Sequence, residues 1–277
     1  MPLNIRIQLR SLIKISIACC LMISLVLVGL AEEVQAGKFM VAMPFATTDE
    51  LVEVSVYESM PATQKTLMKS LKINNKLTKK AAGFKGLSIL QSQDGKQVIM
   101  LSQWQDQASY DSYGSSQAKA KPQESEYENF KNSKPNSKPM MAPPEPSQVM
   151  AFKVIEAQTS FTGATPALRG KEAVVRWLQL TPKDKVDPSQ LQTDIKELIP
   201  SILENQPIPQ STVLLQNLDN NDLALITNWN CSAMFEDVGK PQAIALNDAL
   251  AEAADSTQDL YNVITIIPAE LKKTKPQ

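Results

Sequence analysis

The 277-residue chain contains no histidine. Serine–histidine and cysteine–histidine nucleophile sites are therefore closed to it, because both need an imidazole base. Haem held by a proximal histidine is excluded on the same ground. Ordinary zinc and non-haem iron sites lose their commonest ligand. No metal and no cofactor is expected. Cysteine is scarce as well, and two of the three, Cys19 and Cys20, lie inside an N-terminal apolar run. Without that run only Cys231 remains, no internal disulfide can form, and stability must come from packed cores. An excess of one charge is also missing. Lys plus Arg number 28 against 29 Asp plus Glu, a formal net charge of −1. Nucleic-acid binding needs a strong basic excess, so no such partner is expected.

Long hydrophobic runs are limited to one. Ile15 to Leu30 is uncharged and largely apolar, shorter than the roughly 20 residues of a spanning helix. Arg6, Arg10 and Lys14 lead into it, and Val34-Gln35-Ala36 follows with small residues where a signal peptidase reads. Residues 1–36 thus read as an export signal cleaved before Gly37, with a retained anchor as the competing reading. Cys19 and Cys20 fall too early for a lipoprotein site, and Arg6 and Arg10 are not adjacent as a twin-arginine signal requires. The expected mature chain is periplasmic or extracellular and free of the membrane.

The chain does contain one segment twice. Leu90 to Tyr110 (LQSQDGKQVIMLSQWQDQASY) and Leu215 to Phe235 (LQNLDNNDLALITNWNCSAMF) align without a gap at an offset of 125 residues. Leu, Gln, Asp, Trp and Ala recur at matched positions. The period is too long for a solenoid and suits two units of one fold.

Around this repeat, strands and helices alternate in a fixed order. Leu51 to Tyr57 alternates Val52, Val54 and Val56 with Glu53, Ser55 and Tyr57, the pattern of a half-buried strand. Pro61 opens a helix whose apolar face carries Leu67, Met68, Leu71, Leu77 and Ala81, with lysines on the solvated side and Gly83 as the stop. Gly86 to Ser92, Asp94-Gly95 and Gln97 to Trp104 form a hairpin signal. Asp106 to Tyr113 and Gln123 to Phe130 read as weak helix. The proline-rich 132–147 reads as loop, and Val149 to Ala157 as a strand. After Thr159 to Gly170 the order repeats. Ala173 to Leu180 is a strand. Asp187-Pro188 caps a helix with its stripe at Leu191, Ile195, Leu198, Ile199, Ile202 and Leu203, which Pro200 can kink. Thr212 to Asn217 and Leu223 to Trp229 are a hairpin. Ser232 to Ala254 reads as helix broken at Gly239 to Pro241, and Leu260 to Ile267 closes the unit. Val54 and Val56 align with Val175 and Trp177.

The expected fold class is α+β. Two tandem ferredoxin-like β-α-β-β-α-β domains, 48–157 and 171–269, flank a linker at 158–170. Helices cover one face of each sheet. The other face, bare in a lone unit, needs a partner. The two units are expected to pack sheet to sheet as an intramolecular dimeric α+β barrel, a monomer that acts as its own pseudo-dimer.

Gly83-Phe84, the Asp94-Gly95 hairpin and the run Val98 to Tyr113 (VIMLSQWQDQASYDSY) resemble the antibiotic-biosynthesis monooxygenase domain family. In that family a Gly-Phe after the first helix precedes a hairpin that ends on Trp, with Tyr beyond. The second unit is a weaker match, with Trp229 and Phe235 in place of Trp104 and Tyr110. The resemblance implies the dimeric α+β barrel and, among several activities of the superfamily, cofactor-free oxygenation of aromatic phenols and quinols. Haem-degrading relatives use a histidine and an asparagine on the first strand. Neither is available here, and only the strand-ending Trp104 is matched, so haem degradation is disfavoured.

By alternation, Met100, Ser102 and Trp104 share one face, as do Leu225, Thr227 and Trp229. The resemblance assigns this face to the barrel interior, together with Glu53, Ser55, Tyr57 and Arg176. Glu53, Tyr57 and Trp104 are the candidate catalytic residues, with Glu53 as base. Ser55, Met100, Ser102, Arg176, Leu225, Thr227 and Trp229 are the candidate substrate-binding residues, with Arg176 and the indole donors as anion holders. The competing role of each is packing, and Arg176 can instead pair with Glu53. Cys231 reads as a buried, inert thiol. The leading functional expectation is an exported, cofactor-independent monooxygenase acting on an aromatic phenol or quinol. A non-catalytic barrel for an apolar aromatic small molecule and a structural interaction module are the alternatives. Export from a secreting host should yield a protein starting at Gly37. An intact mass that retains residues 1–36 would instead support the anchor.

Overall fold

The computed structural model describes residues 41–45, 50–75, 78–119, 145–170, 172–236 and 238–269. The expected export signal at 1–36, the expected helix at Gln123 to Phe130 and most of the expected loop at 132–147 lie outside them.

The elements in chain order are β1 (Ala42–Pro44), β2 (Leu51–Glu58), α1 (Pro61–Asn74), β3 (Phe84–Ser92), β4 (Gln97–Trp104), α2 (Gln107–Lys119) and β5 (Gln148–Thr159). Then come β6 (Ala167–Arg169), β7 (Val174–Pro182), α3 (Pro188–Glu204), β8 (Ser211–Asn217), β9 (Leu223–Trp229), α4 (Asp248–Ala253) and β10 (Ala254–Pro268). Local chemistry explains the boundaries. Asp187 accepts from the Ser189 N–H at 2.9 Å and Pro188 fills the first turn, so α3 begins there. α3 runs on through Pro200 to Glu204. Gly95 sits at φ 78°, which lets the two-sided apolar run fold back into the β3–β4 hairpin.

Eight strands close into one barrel in the order β10-β3-β4-β2-β5-β8-β9-β7. Each repeat supplies four consecutive neighbours, β5-β2-β4-β3 and β10-β7-β9-β8, the ferredoxin-like order. The fourth strand of each repeat joins the second strand of the other. β5 pairs with β2 over Gln148 to Lys153 and with β8 over Phe152 to Thr159. β10 pairs with β7 over Ala254 to Asn262 and with β3 over Tyr261 to Pro268. Both bridging strands shift register after a valine, between Val154 and Glu156 and between Val263 and Thr265. A bulge bends a strand, and these two turn it from its own sheet onto the other. The expected intramolecular α+β barrel is therefore the observed one.

The strand pairing moves the alignment of the first strands. Leu51 lies opposite Trp104 and Val174 opposite Trp229. Val52 thus corresponds to Val175, Val54 to Trp177 and Glu53 to Arg176, two residues away from the sequence alignment.

One apolar cluster fills the lumen. It includes Val52, Val54, Val56, Ile99 and Leu101 from the first repeat and Val175, Trp177, Val213 and Ile226 from the second. Phe152 and Trp177 meet edge to face at 5.8 Å. Three further clusters lie outside the lumen among the described residues: one beneath α1 and α2, one beneath α3, and a small one of Val174, Trp229 and Phe235.

Two expectations are corrected. The 158–170 segment holds β6, which pairs with β1 as an antiparallel ribbon in register Met43 to Leu168. Met43, Phe45 and Leu168 join the lumen cluster, so the ribbon closes the mouth where β4 and β9 end. Its backbone is held by the residues that precede the two strand-end tryptophans. Gln103 donates to the Pro44 carbonyl at 2.7 Å and Asn228 to the Ala167 carbonyl at 2.9 Å. The second correction concerns Ser232 to Ala254. It is helical only at a short 3-10 turn, Ser232–Phe235, and at α4. Gly239 at φ 80° and Pro241 end the first piece, and residues 241–247 run as an extended strap.

Asn228→Ala should leave the Ala167 carbonyl with the longer bond from Ser211 Oγ as its remaining side-chain donor and cost about 1 kcal/mol. Gln103→Ala should behave alike, and urea unfolding of both variants against the parent measures the loss.

Candidate functional site

The face that carries the candidate residues is turned away from the lumen. The alternation was read correctly and its sense was not: Val52, Val54, Val56, Ile99 and Leu101 point inward, whereas Leu51, Tyr57, Met100 and Trp104 pack outside, against α1 and α2. The physical reason is composition. A closed lumen admits no water, so the uninterrupted apolar side of β2 goes in. The side with Glu53 and Ser55 goes to the sheet–helix layer, where polar groups find partners. Any site built from these residues is therefore two sites, one on each repeat, and neither is in the lumen. Glu53 and Arg176 occupy corresponding positions on opposite halves, so the expected ion pair between them does not form.

In the first repeat the layer is filled by aromatic side chains. Trp104 is 1% exposed. Its indole N–H is donated to Ser102 Oγ at 3.0 Å. Phe84, Tyr110 and Tyr113 surround its ring, at centroid distances of 5.5, 5.9 and 4.8 Å. The indole donor expected to hold a substrate anion is thus already engaged. Met100 lies buried in the same cluster and accepts from Asn75 at its sulfur. Glu53 is half-buried, accepts from Ser55 Oγ at 2.9 Å and lies beside the phenols of Tyr57 and Tyr110. Burial pushes the Tyr57 phenol up, with the Glu53 charge adding to it. Burial first, and then Glu53, push Tyr110 up further. Glu53, Ser55 and Tyr57 are thus brought together, with Tyr110 as a fourth member from α2.

In the second repeat the same layer is open. The strap 241–247 stands in for a covering helix and leaves a cavity of about 330 Å³ between itself, the C-terminal end of α3 and the sheet. Arg176 and Trp229 form its floor. A second cavity of about 310 Å³ adjoins it on the β10 side, shares Arg176, Pro241 and Ala243, and is lined also by Gln93, Asp94 and Asp259. Arg176 is 5% exposed. Its guanidinium lies 5.2 Å from the centre of the Trp229 ring and donates from Nη2 to the Gln242 carbonyl of the strap. Burial pulls its pKa down to about 10, which leaves it charged at neutral pH. Trp229 is 2% exposed, donates its indole N–H to the Pro207 carbonyl at 2.7 Å and meets Phe235 edge to face at 6.0 Å, so it borders the cavity without a free donor. Gln258 fastens the strap at two points, donating to the Ile244 carbonyl and accepting from its N–H. Thr227 lies directly opposite Arg176 and is fully buried, its hydroxyl without a partner among the described residues. Leu225 packs beneath α3 and does not line the cavity.

Of the candidate residues, then, Arg176 and Trp229 meet at a cavity. The cavity residues that the sequence reading missed are Ser201, Asn205 and Gln206 at the end of α3, and Gln242 on the strap. Their one advance signal was punctuation: Pro207, Pro209 and Pro241 mark chain that cannot continue a helix. Among the described residues, no group of three His, Cys, Asp or Glu is placed to hold a metal ion.

No protein-family model matches the sequence, and no curated protein matches it. Solved structures do. An anthrone oxidase-like protein superposes with a TM-score of 0.54 at 13% identity, over 86% of this chain and 100% of its own. A protein of Fusobacterium nucleatum subsp. nucleatum, named as a suspected monooxygenase, gives 0.51 at 13% identity, over 80% of this chain and 96% of its own. At that identity the likeness is one of fold, and the fold is the one the residues anticipated.

Tyr57, Tyr110 and Tyr261 all have phenols raised by burial above the ordinary value of 10.0. A raised phenol keeps its proton longer in the folded state, so its contribution to stability is complete below pH 10 and is lost as pH rises beyond it. Stability should therefore fall above pH 10. The phenolate absorbance of Tyr57, Tyr110 and Tyr261, read as the difference between the parent and each Tyr→Phe variant, should appear together with loss of tertiary circular dichroism, not ahead of it.

Proposed function

We propose that the chain captures one small aromatic molecule per monomer, in the cavity of the second repeat and not in the lumen. The observation that carries this reading is the contrast between the halves. Side chains fill the lumen and enclose Trp104, whereas Trp229 and Arg176 border about 330 Å³ of space. That volume is at the lower end of the roughly 300–1,000 Å³ usual for ligand pockets, so a molecule of one or two rings suits it. Aliphatic walls from Leu198 and Ile202 of α3, an aromatic residue at the border and a few polar groups are what such sites use.

The second reading is cofactor-free oxygenation, and the likeness in fold to the anthrone oxidase-like protein favours it. The reaction balances without an added reductant. An electron-rich CH₂ or CH flanked by a phenol loses a proton, and the anion gives an electron to O₂. One oxygen atom ends in the new carbonyl and the other in water. Arg176 would stabilise the developing oxyanion. No carboxylate, tyrosine or cysteine lines the cavity. The proton must then leave to solvent or to Asp94 or Asp259 of the adjoining cavity, or the substrate must arrive ionised, and Glu53 serves no role there. This is why capture is the leading reading and turnover the second. Export to the periplasm or beyond is part of the proposal, on the strength of residues 1–36.

Tryptophan fluorescence titrated with 2-naphthol and 1-naphthol should show saturable quenching, lost when Ser201→Phe fills the cavity. Quenching that persists in this variant would move the ligand elsewhere. An oxygen electrode with anthrones and quinols, without metal or flavin, separates the two readings: saturable uptake abolished by the same variant supports turnover.

A further inference from the structure

We infer that the molecule taken by this cavity is a small aromatic anion, and that Arg176 is the residue that recognises its charge. The inference rests on the capture reading above and goes further by naming the charge and its partner.

A guanidinium carries five N–H donors and is the costliest kind of group to bury without a counter-charge. The ion pairs among the described residues join Lys85 to Glu50, Lys96 to Asp94 and Lys183 to Asp255. Arg176 forms none of them. Glu50, the buried carboxylate, has its charge answered by Lys85 and accepts also from Gln103. Arg176 has one backbone carbonyl and one indole face. None of its nitrogens is among the buried side-chain atoms left without a partner, so its remaining donors are not sealed in the core; Arg176 borders both cavities, and the carboxylates Asp94 and Asp259, which line the second, form no ion pair with it. Position on the fold sharpens the point. The corresponding residue of the first repeat is Glu53, in a layer closed by Tyr110 and Tyr113. The half with the cation is the half with the cavity.

A purely structural reading makes Arg176 a clasp for the strap. The strap already has the two-point bond from Gln258, a bond from Lys240 to Gln93 and the burial of Ile244 and Leu246. A neutral donor could have served Gln242 at far lower desolvation cost. Ser201, Asn205 and Gln206, which carry hydrogen-bonding groups, line the same cavity, and Trp229 borders it beneath the guanidinium.

The test compares two probes of nearly equal shape and different charge, 2-naphthoate and 2-naphthamide, by isothermal titration at pH 7 with the full exported protein. A charge-assisted contact in a desolvated site should favour the naphthoate by about 10-fold or more. Arg176→Met and Arg176→Gln should bring the two probes to about equal affinity, and Arg176→Lys should keep part of the preference. The thermal midpoint of Arg176→Met should be unchanged or higher, because an apolar side chain of similar length removes the buried charge. Equal binding of both probes to the parent overturns the inference and leaves capture standing. Binding of neither overturns both. A preference that survives in Arg176→Met, together with a lowered midpoint, makes the residue a clasp and overturns the inference as well.

Discussion

The structure depends on closure of a single sheet within a single chain. A four-stranded ferredoxin-like unit has two open edges and one uncovered apolar face, and each is a liability in water. Here every edge is answered by the other repeat. β5 and β10 are longer than their own sheet requires, and the surplus hydrogen-bonds across the join. Two bulges, each directly after a lumen-facing valine, give these strands the bend that closure needs. The uncovered faces meet as one dry core. Once that core exists, the helix-bearing faces point away from each other, which insulates the layer beneath α1 and α2 from the layer beneath α3; the halves meet at the rim, where Gln93 and Asp94 of the first border a cavity with Arg176 of the second.

This insulation lets the halves differ. The same scaffold position carries Glu53 on one side and Arg176 on the other. On the first side, α2 brings Tyr110 and Tyr113 down onto Trp104 and the layer is solid. On the second, an extended strap replaces most of that helix, and the space it fails to fill is the cavity. The two features belong together: a covering helix with two large aromatics would bury the guanidinium completely, without room for a counter-ion.

Much of the fold was legible because its signals are local. The alternation of β2, the Asp94-Gly95 turn, the Asp187-Pro188 cap and the repeated hairpin needed no tertiary information. Two things were not local. Alternation tells which residues share a face and says nothing of which face turns inward, so Trp104 and Trp229 were placed in the lumen. The unbroken valines of β2 were the better guide. The strap was hidden by composition, since Ala243 to Ala254 is rich in helix formers. Ala254 to Asp259 lie in β10 because β7 offers them a partner, a tertiary gain that outweighs propensity. Arg176 and Trp229 were chosen from the right strands, and the cavity that gives them meaning comes from chain between α3 and β10 that carries no repeat signal.

The ribbon across the barrel mouth changes what counts as one copy of the repeated module. Met43 and Leu168 are 125 residues apart, the spacing of the two hairpins, and they pair with each other. They are cross-strand partners at the centre of the ribbon, one from the strand that precedes each repeat. Each copy therefore begins with its own lead-in strand, and the stretch first read as a linker is the opening of the second copy. The unit of duplication and the unit of folding are different objects. Cutting the chain between the repeats would separate two complete copies and yield no complete body, since each would lose both sheet joins, half the lumen and its partner in the ribbon.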